Sequence, residues 1–492
     1  MRILFVTSEA FPLIKTGGLA DVSGSLPAAL NAIDNDVRLL IPGYPAVMQK
    51  LVEPCYLSTI SNLPNVGAVN IVMGKMPETG VPVMAIEAPH LYDREGGPYT
   101  DKSGQDWQDN PIRFGTLSLV AAILSGEDSP LKDWIPDIVH CNDWQTGLTP
   151  AYMHFISAHR PQMKQAKSVL SLHNLAFQGC YSADWVSRLG LPAECFHMEG
   201  VEYYGQLSFL KAGIIYADGL STVSPSYAKE IQTEQYGFGL QGLLSKRGHE
   251  IHGILNGLDT QEWNPATDPH LGSHYDAKKL AGKAKVKAAL QAKLGLTPAP
   301  KAPLLGVVSR LTHQKGLDML LECAETLINQ QHCQIAVLGT GEASFEQGYQ
   351  ALAAKFPGKV GVTIGYNEAL SHQMMAGCDI FIMPSRFEPC GLNQMYGLRY
   401  GTPPVVTHTG GLADSVTDSN EATISNNTAT GFVMPSANTY QLLSAASRAI
   451  AYYQDADTWQ GIQQNGMNQN LDWTKSAQSY LALYQDLLKE KS

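Results

Sequence analysis

The hexapeptide Thr16-Gly17-Gly18-Leu19-Ala20-Asp21 recurs letter for letter as Thr409-Gly410-Gly411-Leu412-Ala413-Asp414. In each copy an apolar, strand-like run precedes it (Ile3–Val6 and Pro404–Val406) and a helical pattern follows. A glycine pair at the start of a helix lets backbone N–H groups approach a ligand closely, and the positive end of the helix dipole favours an anion there. Either copy alone reads equally well as a tight βα turn. The doubling points to two similar α/β domains closing on one phosphorylated ligand. Further polar clusters follow other apolar runs: Lys15 beside the first glycine pair, His140-Cys141-Asn142-Asp143-Trp144, and His173-Asn174-Leu175-Ala176-Phe177-Gln178-Gly179. In the second half come Ser309-Arg310-Leu311-Thr312-His313-Gln314-Lys315-Gly316, Gly339-Thr340-Gly341-Glu342, Gly365-Tyr366 and Ser385-Arg386-Phe387-Glu388-Pro389-Cys390-Gly391-Leu392. In open α/β sheets ligand-facing groups gather at the carboxyl ends of strands. These clusters together offer cations, helix N-termini, a carboxylate and an aromatic ring.

The elements that must position these groups are legible as short Val/Ile/Leu-rich runs alternating with longer stretches of helical period, the pattern of βα units and parallel sheets. Strands are predicted at Ile3–Val6, Val37–Ile41, Ile138–His140, Val169–Leu172 and Leu220–Val223, then at Leu304–Ser309, Gln334–Leu338, Val360–Ile364, Ile380–Met383 and Pro404–Thr407. Leu317, Leu320, Leu321, Ala324, Leu327 and Ile328 form a stripe that predicts an amphipathic helix over 316–330. A chain of 492 residues exceeds what one core organises, so two domains are expected. The division falls at 1–255, with a returning helix at 474–492, and 256–473. The Pro-punctuated stretch Thr297–Pro303 leads into the second sheet, and Lys278, Lys279, Lys283, Lys285, Lys287 and Lys293 read as a solvated helix face. The last helical segment, Lys475–Lys489, carries Tyr480, Leu481, Leu483, Tyr484 and Leu487, and is expected to pack back onto the first domain.

Composition narrows the function. A net charge of −11 argues against a nucleic-acid surface and suits a neutral substrate such as a carbohydrate polymer, and 16% charged residues against the usual figure of about 25% leave a surface that leans on neutral polar groups. Eight scattered cysteines without a CxxC pair fit a reducing cytoplasm and no zinc motif. The N-terminus reads as a buried strand and no window reaches a membrane span, so no membrane partner is expected.

KTGGLADV, HNLAFQG, SRLTHQKG, GTGE and SRFEPCGLNQ, in this order, resemble the bacterial glycogen synthase and plant starch synthase family, over essentially the whole chain to Trp473. The resemblance implies an α/β fold of GT-B type, with two Rossmann-like, doubly wound parallel-sheet domains facing across a deep cleft, and transfer of glucose from ADP-glucose to an α-1,4-glucan with retention. It implies that Arg310 and Lys315 hold the donor diphosphate, where fixed cations stabilise the departing charge. Glu388 would contact the donor glucose hydroxyls, although a carboxylate there can instead cap the helix that begins near Gly391. His173 would lie close to the transferred glucose, and Asp143 would serve the acceptor side of the catalytic group. Donor-binding residues would be Lys15, Gly17, Gly18, Asp21, Asn256, Tyr366 against the base, Cys390, Gly391, Leu392, Thr409, Gly410 and Gly411. Asn174, Trp144 and Gln178 would meet the acceptor, with Trp144 offering either a flat face to glucan rings or a core side chain.

Two departures refine this. Many related transferases carry E-x7-E, but here Tyr396 stands eight positions after Glu388, which fits the glycogen and starch branch and counts against a sucrose-type transferase. Thr407-His408 stands where bacterial relatives place a basic pair. Neither metal nor pyridoxal phosphate is implied: the DxD strings Asp34-Asn35-Asp36 and Asp455-Ala456-Asp457 fall in a turn before a strand and in a helical stretch. No close pair of carboxylates marks a covalent double displacement, so a front-face reaction is expected. A small-acceptor transferase, a phosphorylase and a glucan-binding scaffold are the rival readings.

Overall fold

The computed structural model describes residues 1–158 and 166–489. Every strand expected from an apolar run is present, and most are buried along their whole length. The chain divides into two units, one spanning Met1–Gly257 together with the segment from Trp473 onward, the other Leu258–Asp472. This division lies two residues beyond the expected border and places Asn256 in the first unit. The last three residues of the expected returning segment lie outside the described residues.

In the first unit β1 (Arg2–Val6), β2 (Asp36–Pro42), β3 (Val52–Leu63), β4 (Gly67–Lys75), β5 (Pro82–Glu87), β6 (Ile138–Asn142) and β7 (Lys167–Leu172) are followed by a small sheet of β8 (Cys180–Ser182), β9 (Glu202–Tyr203) and β10 (Gln206–Ser208). Next come β11 (Gly219–Thr222) and β12 (Ile251–Gly253). The main sheet runs β12-β11-β7-β6-β1-β2-β5-β4-β3. It is parallel from β12 to β5, as expected, and carries in addition an antiparallel edge of β4 and β3 that the apolar runs did not mark. Sequence reasoning missed this edge because β3 mixes polar and apolar residues and leaves most of its side chains in solvent, as an edge strand can.

The second unit carries one parallel sheet, ordered β15-β14-β13-β16-β17-β18, from β13 (Leu304–Val308), β14 (Gln334–Gly339), β15 (Val360–Ile364), β16 (Ile380–Met383), β17 (Pro404–Thr407) and β18 (Phe432–Met434). The helix Leu317–Gln330 covers it with the predicted stripe: Leu317, Leu320, Ala324, Leu327 and Ile328 are buried against Val307, Val337 and Leu442.

The closing helix Trp473–Lys489 packs along Gly18–Asn31 in the first unit. Its anchor is polar as well as apolar. Tyr484 Oη lies 2.6 Å from His140 Nδ1 in the centre of the sheet, and burial lowers the pKa of His140 to about 3, so the ring is neutral. No helix among the described residues is long and apolar enough to cross a membrane.

The lysines of Ala281–Lys293 do not form one solvated face. Lys278, Lys279, Lys285 and Lys293 are exposed, but Lys283 and Lys287, one turn apart, point inward. Lys287 Nζ pairs with Asp379 Oδ2 at 2.6 Å and donates to the Ala302 carbonyl at 2.6 Å. Lys283 donates to the Ala376 carbonyl at 2.8 Å and to Thr402 Oγ1 at 2.6 Å, and burial lowers its pKa to about 8. The period of the lysines hid this, because both turns of a helix carry the same letter. Lys287→Met leaves Asp379 buried without its cation and should lower unfolding free energy by about 3–5 kcal/mol in urea titrations, whereas Lys285→Met should stay within about 0.5 kcal/mol. Equal effects at the two positions would contradict the buried pair.

Candidate functional site

In the second unit, β13 and β16 are parallel neighbours, so the loops leaving their carboxyl ends meet. Gly316 makes the meeting possible. It adopts φ 69°, and a Cβ there would lie 2.2 Å from the Pro384 carbonyl oxygen. Arg386 then stitches the two loops together. Its guanidinium grips both oxygens of Asp318 at 2.7 and 2.6 Å and donates to the His313 carbonyl at 2.6 Å, holding the Asp318 carboxyl below its usual range. Gln314 Nε2 adds a bond to the Phe387 carbonyl at 3.2 Å.

Within this frame Lys315 Nζ meets Glu388 Oε2 at 2.5 Å, and Ser385 Oγ donates to the same oxygen at 2.9 Å. Glu388 is buried. The helix after it runs Asn393–Arg399 with Leu392 as its N-cap, so Glu388 is not the N-cap residue. Arg310 stands exposed at the end of β13 and has no acidic partner among the described residues. Tyr366 follows Gly365, which adopts φ 129°, and turns its ring to solvent at 76% exposure, while its hydroxyl donates to Glu368.

The second TGGLAD lies against the same loop. Gly410, at φ 42°, would put a Cβ 2.0 Å from the Glu388 carbonyl oxygen, and Gly411 one 2.1 Å from that of Cys390. The Gly411 N–H donates to the Glu388 and Pro389 carbonyls. That amide therefore serves the loop and not an incoming anion, which narrows the expected anion site. Cys390 is buried, and Gly391 supplies a left-handed turn at φ 71° before Leu392. Gly339 and Gly341 of GTGE are likewise required by close carbonyls, of Ser309 and Leu311.

In the first unit the first TGGLAD opens the helix Gly18–Asn31, with Gly17 as N-cap. Here a Cβ on Gly17 or Gly18 would meet nothing within 4 Å, so the chain itself does not require glycine at either place. Lys15 Nζ pairs with Asp21 Oδ1 at 2.7 Å. Glu9, which sequence reasoning passed over, fills the adjacent turn. Its carboxylate accepts from Thr16 N at 2.5 Å, Gly17 N at 3.1 Å and Tyr99 Oη at 2.7 Å, and burial raises its pKa despite these bonds. The amides at 16 and 17 thus hold the chain's own anion. No regular spacing joins Glu9 to Tyr99, ninety residues away, and only the fold reveals the pair.

β6 and β7 are adjacent and parallel, and bring Asp143 and His173 together. His173 Nε2 lies 3.0 Å from Asn142 Oδ1, and burial lowers its pKa to about 4, so it is a neutral hydrogen-bonding ring. Asp143 occupies φ 59°, ψ −170°, a backbone region that costs a non-glycine residue about 1–3 kcal/mol and that concentrates at functional sites. Burial raises its pKa to about 7 although the backbone N–H groups of His173, Asn174 and Trp144 face it, and its Oδ1 has no hydrogen-bond partner. Trp144 is buried between Phe114, Tyr181 and Phe209, with Gly179 against its indole, and so belongs to the core and not to an open glucan platform. Asn174 caps its own turn through Ala176 N, Gln178 Nε2 holds the Phe238 carbonyl at 2.8 Å, and Asn256 is buried with its Oδ1 unpartnered.

A carboxyl group that protonates more easily folded than unfolded binds a proton on folding, between its ordinary value of 3.8 and about 7 for Asp143. Stability falls with rising pH across that window. Asp143→Asn should therefore raise Tm at pH 8, by about 2–4 °C for each kcal/mol relieved, and leave it little changed at pH 4. An equal difference at both pH values would refute the burial argument.

Known proteins resemble this chain over its whole length. The family model described as the starch synthase catalytic domain matches residues 2–246, and that of glycosyl transferases group 1 matches residues 294–457. The chain is 51% identical to the glycogen synthase of Nitrosomonas eutropha over 493 residues, 100% of this chain and 97% of that one. It is 49% identical to that of Nitrosospira multiformis, at 100% and 98% coverage. Among solved structures it resembles the catalytic domain of Starch Synthase IV from Arabidopsis thaliana bound to ADP and acarbose, with a TM-score of 0.89 and 32% identity over 99% of each chain. The sucrose-phosphate synthase from Thermosynechococcus elongatus shares the fold alone, at a TM-score of 0.59 and 15% identity. The chain belongs to the glycogen and starch synthase family and is a glycosyltransferase of the GT-B fold.

Proposed function

We propose that the chain transfers α-D-glucose from ADP-glucose to the non-reducing 4-OH of an α-1,4-glucan, with retention and release of ADP. The observation that carries this reading is the Lys315–Glu388–Ser385 cluster at the ends of neighbouring strands, with Arg310, which has no acidic partner among the described residues, at the end of β13. Arg310 and Lys315 take the diphosphate, whose charge grows as the anomeric C–O bond breaks; a fixed cation there favours the transition state over the ground state. Glu388 accepts from the glucose hydroxyls and fixes the ring. The acceptor O4 attacks from the face the phosphate leaves, and its proton passes to the departing phosphate oxygen. His173, neutral at physiological pH, contributes a hydrogen bond and no charge. Asp143, Asn174 and Gln178 serve the acceptor, and Tyr366 offers its exposed ring to the adenine. The open space at Gly17 and Gly18 admits the donor beside Lys15. Lys15 with Asp21, Asn256 and the 390–392 and 409–411 turns complete the donor set. No metal and no pyridoxal phosphate takes part in the step, and the reading is that of an enzyme of the cytoplasm.

Radiolabelled ADP-glucose and UDP-glucose, each with a glycogen primer and with fructose as control acceptor, test the substrates: label should enter glycogen from ADP-glucose and should not appear in sucrose. Lys315→Ala and Arg310→Ala should each lower kcat by about 10²–10³-fold with unchanged circular dichroism, the effect of removing one charge stabiliser. Near-normal turnover in either variant would defeat its assignment.

A further inference from the structure

Outside the cation cluster, the second unit holds a buried polar group that the transfer reaction does not use. His372, on the helix Glu368–Gly377, is 1% exposed and lies stacked on Trp263, with ring centroids 3.8 Å apart and an interplanar angle of 13°. Its Nδ1 bonds Asp268 Oδ2 at 2.7 Å, and Tyr400 Oη donates to the same oxygen at 2.6 Å. Its Nε2, also buried, is not within hydrogen-bonding geometry of any described group and makes only a longer ion-pair contact, 3.5 Å, with Glu368 Oε1. Glu262, from the segment before Trp263, brings a second carboxylate, and one donor atom from each of Glu262, Glu368 and His372 falls within 4.8 Å of the others.

We propose that Glu262, Glu368 and His372 form a binding site for a zinc-type divalent cation. One imidazole nitrogen and two carboxylate oxygens suit a tetrahedral ion that keeps a water as its fourth ligand. A metal-binding histidine ordinarily gives its second nitrogen to a carboxylate, which fixes the ring and leaves the other nitrogen free for the ion, and Asp268 holds that place here. Both glutamates are half-buried, so the ion has a route in from solvent. The ion would fasten the 262–268 segment to the 368–377 helix, whose Glu368 also accepts from the Tyr366 hydroxyl. Without an ion the same carboxylates hold a proton on His372 against the effect of burial, raising its pKa to about 9, and this proton-clamped ring is the competing arrangement.

Isothermal titration of EDTA-dialysed full chain with zinc chloride at pH 8 separates the two, with cobalt(II) visible absorption reporting the geometry. One equivalent should bind, with the absorption of a four- or five-coordinate ion and a rise in Tm. Glu262→Gln, checked for unchanged circular dichroism, should weaken binding by roughly tenfold or more. Cys55→Ser, which removes the exposed cysteine, should leave it unchanged. Absence of stoichiometric uptake, or equal uptake by Glu262→Gln, would overturn the site in favour of the protonated ring. The readout is metal uptake and not glucosyl transfer, so its failure leaves the assignment of the reaction untouched.

Discussion

A carboxylate taken out of water needs a cation close by, because isolating it costs several kcal/mol. Glu388 meets that requirement through Lys315 at 2.5 Å, with Ser385 on the same oxygen. Much of the second unit's local architecture follows from bringing these residues together. Lys315 arrives from the end of β13 and Glu388 from the end of β16, so the two strands must be parallel neighbours. Gly316 must be glycine to pass the Pro384 carbonyl, and Arg386 must clamp Asp318 to keep the loops in register. The pair is thereby held before any substrate arrives. The ordering cost of these side chains is thus met by the fold itself.

The two TGGLAD copies show how the same six letters serve different mechanics. In the second, both glycines are dictated from inside: the backbone of Glu388 and Cys390 occupies the space a side chain would take. In the first, the space is open, and the neighbouring amides are held by Glu9. The first copy is therefore the one whose glycines face outward, beside Lys15. The second ties the carboxylate loop to β17. A reading of the repeat as two equivalent anion cradles overlooks this division.

Much of this was legible in the sequence, for physical reasons that differ by element. Strands buried on both faces appear as continuous apolar runs, so the parallel core of each sheet stood out. The antiparallel edge of β4 and β3 did not, because solvent tolerates polar residues on an edge strand. The stripe on Leu317–Gln330 gave its buried face directly, whereas the lysines of Ala281–Lys293 concealed theirs: a lysine stem buries as readily as an apolar chain when its ammonium finds a carboxylate or carbonyls. Trp144 carried two readings that only packing separates, and the rings of Phe114, Tyr181 and Phe209 settle it as core. Glu9, Tyr99, Arg386 and Asp318 were invisible as partners because their pairings join distant stretches of chain without any periodicity.

The contrast between the glycine pairs bears on how this chain tolerates change. A Cβ placed at 17 or 18 meets nothing within 4 Å, so a library of small residues there starts from an undisturbed scaffold. The same library at 410 or 411 pushes directly on the main chain of the Glu388 turn. The chain therefore has one permissive address and one forbidden one, spelled identically.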